Sequence, residues 1–178
     1  MGPRESPPVT TAWPLSLSQS EVWRDHAAWP GSAHLVIGGG GFLDGPLDTA
    51  RCLAALRLLV QESDALRLAP LPDGTQTLLP QWEPVLEQRE VPPGEDPRAA
   101  MQAWWEEGVA RPFAFDGTPP WRFALLRAHA QLHGLAMQFH HVVMDGWGTS
   151  QVMTRWSELY NQLDSGAPSA AKDAAPYT

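Results

Sequence analysis

The run from residue 121 to residue 163 constrains the fold more than any other part of the chain, because it sets two strand patterns and a helical pattern end to end. Residues 121–128 and 132–140 read as a hairpin of two central strands. Met153, Trp156, Leu159, Tyr160 and Leu163 then recur at helical spacing. Between strand and helix lies Gln138-Phe139-His140-His141-Val142-Val143-Met144-Asp145-Gly146-Trp147-Gly148, so a histidine pair sits where a strand ends. Consecutive strand residues point to opposite faces, which puts Leu135, Met137, Phe139 and His141 on one side and Ala136, Gln138 and His140 on the other. Two adjacent histidines therefore have different roles.

With 178 residues the chain is sized for one domain and not two. Apolar residues at 43% and nine tryptophans argue for a packed core. The net charge of -8 comes with scattered Lys and Arg, which argues against a nucleic-acid partner, since phosphate binding needs clustered cations. Cys52 is the single cysteine, so an internal disulfide and a Cys-based zinc site are excluded and a reducing, cytoplasmic setting is the simple expectation. No run approaches the roughly 18 continuous apolar residues of a membrane span. Residues 1–12 carry no signal-like apolar segment either, and no membrane partner is expected.

The leader at 1–12 is Pro-rich, aperiodic and read as mobile. A helix follows Leu15, with Ser18 as N-cap and Glu21 three residues later completing a capping box. Residues 34–37 open a strand, but Gly38, Gly39, Gly40 and Gly41 follow; they suit either an irregular strand or a place where a substrate arm passes. Asp48 is placed to cap a helix over 49–63 whose stripe is Leu53, Leu56, Leu59 and Val60, with Cys52 a small core residue beside it. Arg67 begins a strand that turns at Pro72-Asp73-Gly74 and returns through 75–79, and 83–89 is a short edge strand containing Pro84. Asp96 caps a helix over 97–110 in which Met101, Trp104, Trp105 and Val109 are spaced for burial. Trp104 and Trp105 diverge, so one is expected at a lobe or partner contact. From 165 onward the composition is that of a linker.

His140-His141-Val142-Val143-Met144-Asp145-Gly146 resembles the HHxxxDG signature of the condensation domains of nonribosomal peptide synthetases, which share the chloramphenicol acetyltransferase fold. Weaker matches keep the same order. Leu15-Ser16-Leu17-Ser18-Gln19 resembles an LSxxQ motif, 42–48 a GxLD turn, and 111–126 a PFDL…PLxRxxLL segment. Leu66 and Arg67 keep the end of an RHExLR motif from which Glu62, Ser63 and Asp64 depart. The resemblance runs from Leu15 to Leu163 and implies an α/β fold: an α+β two-layer sandwich, a chloramphenicol-acetyltransferase-like lobe with a mixed, mainly antiparallel sheet flanked by helices. A complete condensation domain pairs two such lobes around a tunnel. The expected organisation is thus a mobile leader at 1–12, an N-terminal lobe at 13–164 and a linker at 165–178 toward a C-terminal lobe. The short leader suggests that the lobe opens its parent polypeptide, as in a starter domain taking a fatty acyl donor or in one receiving its donor from a separate protein.

The reaction that the resemblance implies is amide formation, in which the amine of a carrier-bound aminoacyl acceptor attacks a carrier-bound acyl or peptidyl thioester. The implied partners are the C-terminal lobe, peptidyl or acyl carrier proteins and an adjacent adenylation domain, and the half is expected to be inactive alone. No cofactor is held tightly, because substrates arrive on the phosphopantetheine arms of carriers. The resemblance gives His141 the tunnel-facing catalytic position and turns His140 into the lobe. An amine of pKa roughly 8 needs modest help, and an imidazole of pKa about 6.5 can take its proton or hold it in line. Asp145 suits an ion pair with Arg67 or Arg122 better than a proton relay. Gly146 suits a tight turn into a helix whose free N–H groups face developing negative charge. His129 and His133 flank a turn and argue for no metal site, and no GxSxG elbow supports a hydrolase built on Ser150, His141 and Asp145. Two other readings stand beside this one: a non-catalytic carrier-binding or assembly module, and a stand-alone coenzyme A-dependent acyltransferase.

Overall fold

The computed structural model describes residues 11–165. The leader expected at 1–12 and the linker expected at 165–178 lie outside these residues, except for Thr11, Ala12 and Ser165. In chain order the elements are β1 (Trp13–Pro14), α1 (Leu17–Ala28), β2 (Val36–Asp44), α2 (Thr49–Glu62), a 3-10 turn (Asp64–Arg67), β3 (Leu68–Pro70), β4 (Thr75–Leu78), β5 (Leu86–Glu90), α3 (Pro97–Val109), β6 (Trp121–His129), β7 (Leu132–His140) and α4 (Gly146–Ser165). Four strands form a mixed sheet in the order β2-β7-β6-β5, and three form a small sheet in the order β1-β4-β3. The expected hairpin is therefore central, with β7 antiparallel to both β2 and β6. The edge pair β5 and β6 is parallel. A tight turn cannot join parallel strands, so the chain between them makes a crossover, and α3 is that crossover.

Alternation along β7 sends Leu135, Met137 and Phe139 to one face, where they join Phe123 and Leu125 of β6. The same cluster takes in Cys52, Leu56 and Leu59 of α2 and Val152, Trp156 and Leu159 of α4. Each fully buried side chain of Leu or Phe size contributes about 1.5 to 3 kcal/mol, which makes this face the main source of stability. Asp48 caps α2 as expected, its side chain accepting from the Arg51 N–H. Cys52 is fully buried, and burial pushes its thiol up to about 11, so it packs and does not react. The opposite face carries α3 and the end of α1, so helices cover the sheet on both sides.

Three local expectations change. The N-cap of α1 is Ser16, not Ser18, and its capping-box partner is Gln19, not Glu21. Both pairs have the same spacing, but Gln19 is buried and its amide also bonds Gln76 and Val142 O. The glycine run does not interrupt β2, which pairs with β7 continuously from Val36↔His140 to Asp44↔Leu132. A Cβ on Gly38 would lie 2.2 Å from Met137 O and 3.1 Å from Trp105 Cη2, and one on Gly40 would lie 2.5 Å from Leu135 O. The absence of side chains here lets the strands approach and lets the Trp105 ring lie against the sheet. Trp104 also finds an internal partner, with the Arg89 guanidinium 5.8 Å from its ring centre, so neither tryptophan needs an external contact to explain it.

Candidate active site

Strand β7 ends at His140 and α4 begins at Gly146, which leaves residues 141–145 to make the connection. The His140 N–H donates to Pro120 O and the His141 N–H to Leu35 O, both at 2.9 Å, so the backbone is pinned on entry. His140 is 2% exposed. Its Nδ1 accepts from the Val142 N–H at 3.1 Å, and its Nε2 lies 3.2 Å from His26 Nδ1. Burial, reinforced by the neighbouring His26, His141 and His34, pulls its pKa down to about 3. The ring is therefore neutral near pH 7 and structural, facing into the lobe as the sequence resemblance implied.

Strand alternation placed His141 on the core face with Phe139. The chain leaves the strand at His140 instead, and His141 is exposed. Its Nδ1 lies 2.9 Å from Met144 O. A carbonyl can only accept, so this contact assigns the proton to Nδ1 and leaves Nε2 with a bare lone pair. The two neighbouring imidazoles thus hold their protons on opposite nitrogens.

Val142 is held from its other side by Gln19, which is 6% exposed. Gln19 Nε2 donates to Val142 O at 3.2 Å and to Gln76 Oε1 at 2.9 Å, while Gln19 Oε1 accepts from the Ser16 N–H and from Gln76 Nε2. All four hydrogen-bonding positions of this amide are used, which ties α1 and β4 to the histidine turn.

Asp145 is not in an ion pair with Arg67 or Arg122. Arg67 pairs with Asp64 and donates to Leu79 O and Pro80 O, closing the 3-10 turn onto the β3-β4 hairpin. Arg122 donates to Arg111 O with its guanidinium 3.9 Å from the Phe113 ring centre, and burial beside Arg111 lowers its pKa to about 10. Asp145 instead caps α4: its Oδ1 accepts from the Gly148 N–H at 2.6 Å and its backbone carbonyl from the Thr149 N–H at 2.9 Å. A carboxylate at a helix N-terminus also meets the positive end of the helix dipole. Asp145→Ala is accordingly expected to cost about 1 kcal/mol in a urea melt, and Asp145→Asn much less. A loss of about 3 kcal/mol or more, roughly that of a broken buried ion pair, would contradict the cap assignment. Gly146 has no positive φ and no atom within 4 Å of a built Cβ, so the turn does not require glycine there. The tight position is Gly148, where a Cβ would lie 2.6 Å from Met144 Sδ.

His141 lines an open groove of about 560 Å³, together with Ser16, Ser18 and Val22 of the α1 region and Val143, Met144 and Asp145 of the turn. Leu17, between the lining residues Ser16 and Ser18, and Trp147, next to the lining residue Gly148, are 77% and 75% exposed. A separate cleft of about 320 Å³ lies between α3 and the Gly134–Ala136 end of β7, roughly 20 Å of strand away, and has no titratable side chain in its lining.

Residues 9–178 match the family described as the condensation domain. The chain belongs to the condensation-domain family. It is 31% identical over 166 residues to the isonitrile lipopeptide synthase of Streptomyces coeruleorubidus, a match covering 91% of this chain and 11% of that protein. It is 30% identical over 156 residues to the nonribosomal peptide synthetase penN of Penicillium thymicola, covering 86% of this chain and 6% of that protein. Among solved structures, the starter condensation domain of the rhizomide synthetase RzmA superposes with a TM-score of 0.82 at 28% identity, over 92% of this chain and 41% of that one. The first condensation domain of the CDA synthetase gives 0.78 at 27% identity, over 90% and 42%. The chain thus spans about two fifths of these solved domains and a small share of the synthetases, and corresponds to the N-terminal portion of a condensation domain. Two residues that hold the turn, Gln76 and His26, carry no signal in the sequence. They lie 57 residues from Gln19 and 114 from His140, and no local spacing links them.

Proposed function

We propose that residues 13–164 form the N-terminal lobe of a condensation domain that joins a carrier-bound acyl thioester to the amine of a carrier-bound aminoacyl group. The observation that carries this reading is the contact of His141 Nδ1 with Met144 O, which leaves Nε2 free in the neutral ring, on a residue lining the open groove. In the reaction the acceptor N–H hydrogen-bonds to Nε2 while the nitrogen lone pair attacks the thioester carbonyl carbon. The N–C bond forms and the carbonyl electron pair moves to oxygen. The nitrogen gives its proton to Nε2, the C=O reforms, the C–S bond breaks, and the departing thiolate takes that proton, which restores the imidazole. Holding the amine in line and accepting its proton use the same contact and together are worth about 10² to 10⁴ in rate. Of the first amides of α4, Gly148 and Thr149 already donate to Asp145, so among the described residues Gly146 and Trp147 are the ones open to the developing oxyanion.

The C-terminal lobe is the partner that would roof the groove, and the exposed Leu17 and Trp147 beside it suit burial there. Substrates would come on phosphopantetheine arms, the acceptor from a carrier charged by an adjacent adenylation domain. A fatty acyl donor is favoured by the kinship with the isonitrile lipopeptide synthase and with a starter domain solved with C8-CoA and, in another structure, with C8-CoA and Leu-SNAC. The test is to join the chain to a C-terminal lobe and offer an aminoacyl carrier with either a fatty acyl or an aminoacyl donor carrier. Amide product with the fatty acyl donor is expected, and none from the chain alone. Carrier binding without product from either donor would favour the assembly-module reading.

A further inference from the structure

Three rings meet beneath the histidine turn: His26 of α1, Phe115 from the loop before β6, and His140. His26 stacks on Phe115 with ring centres 4.3 Å apart, and its Nδ1 faces His140 Nε2 at 3.2 Å. One proton arrangement satisfies these contacts. The Val142 N–H donates to His140 Nδ1, so that nitrogen carries no proton. The single proton of the neutral His140 ring is then on Nε2, where it can be donated only to a bare His26 Nδ1. Reversing the tautomer would point a second hydrogen at the Val142 amide and leave two buried groups without partners.

We propose that His26 is a positioning residue for His141. By accepting from His140 Nε2 it locks the tautomer of His140, whose Nδ1 in turn holds the Val142 amide and the turn that carries His141. Gln19 holds Val142 O on the other side, so two side chains of α1 fix the backbone next to His141, one directly and one through a neighbouring ring. The catalytic consequence rests on His141 being the working group, whereas the link from His26 to the turn does not.

The experiment is imidazole and amide NMR on the whole chain, with two substitutions. His26→Phe keeps a ring against Phe115 and removes the acceptor; His26→Asn supplies Oδ1 as a replacement acceptor. In the unsubstituted chain His140 is expected as the Nε2–H tautomer, with a scalar coupling across the hydrogen bond to His26 Nδ1. His26→Phe should mix the His140 tautomers and speed Val142 N–H exchange by about 10- to 100-fold, and His26→Asn should restore both. In a complete condensation domain the Phe substitution should lower kcat with little change in KM, and Asn should recover it. A His140 proton found on Nδ1, or an unchanged Val142 exchange rate in His26→Phe, would overturn the proposal. If the Phe variant does not fold, the spectrum of the unsubstituted chain decides it. If the His26 effects appear but His141→Ala keeps full activity, the positioning link stands and the catalytic reading of His141 falls.

Discussion

Acidification from about pH 6.5 to about pH 4.5 is expected to remove roughly 2 to 3 kcal/mol from the stability of this chain. The cause is His140. In the unfolded chain a histidine takes its proton near pH 6.5, but in the folded chain burial beside His26, His141 and His34 delays protonation of His140 to about pH 3. Over the interval the unfolded state binds a proton that the native state refuses. Stability is therefore complete above about pH 6.5 and falls by about 1.4 kcal/mol per pH unit below it. His26, whose pKa is also lowered, by burial and then by His34, adds a slope of the same sign. Asp73, Glu107 and Asp116 have carboxyls held below their usual range, by Thr75, Arg89 and Thr118 respectively. Their stabilisation is lost only at lower pH, so the interval above about pH 4.5 belongs to the histidines. Urea melts across this range should show the slope in the unsubstituted chain. In His140→Asn, whose Oδ1 can still accept from Val142 but does not titrate, most of it should vanish. A flat profile in the parent chain, or the same slope in the variant, would contradict the assignment.

His141→Ala in a complete condensation domain is expected to slow amide formation by about 10² to 10⁴. The same change should cost this chain at most about 1 kcal/mol. The contrast follows from placement. His141 is exposed and, among the described residues, its side chain makes one hydrogen-bonding contact, to Met144 O, so little packing depends on the ring. His140, the adjacent residue, is buried among His26, Phe115 and the Val142 amide, and its truncation should act on folding first. Single-turnover kinetics with preloaded carriers, alongside urea melts, separates the two effects. Full activity in His141→Ala would remove it from the reaction, and global unfolding would make it a structural residue.

Much of the fold is written in local patterns. The stripe of α2, the Asp96–Pro97 entry to α3 and the 121–140 hairpin each declare themselves through residues within a turn or a strand of one another. What local pattern misreads is settled by residues far apart. Ser16 and Ser18 both head a capping-box spacing, and the choice depends on Gln19 reaching Gln76 and Val142. Four glycines look like a broken strand until Trp105, more than sixty residues on, is seen against Gly38 and Gly40. Asp145 suggests an ion pair by its charge, yet the amide of Gly148 is three residues away and needs no distant arginine. The outward turn of His141 was implied by family resemblance and not by strand alternation, which ends one residue too early to govern it.

The imidazole nitrogen signals of the folded chain at mildly alkaline pH report most directly on the protons of the two neighbouring histidines. Opposite tautomers are expected, with the His140 proton on Nε2 and the His141 proton on Nδ1, so that a bare nitrogen of His141 faces solvent. A His141 that carries its proton on Nε2 would have its lone pair on Nδ1, turned toward Met144 O and away from an incoming amine, and would contradict the role given to it.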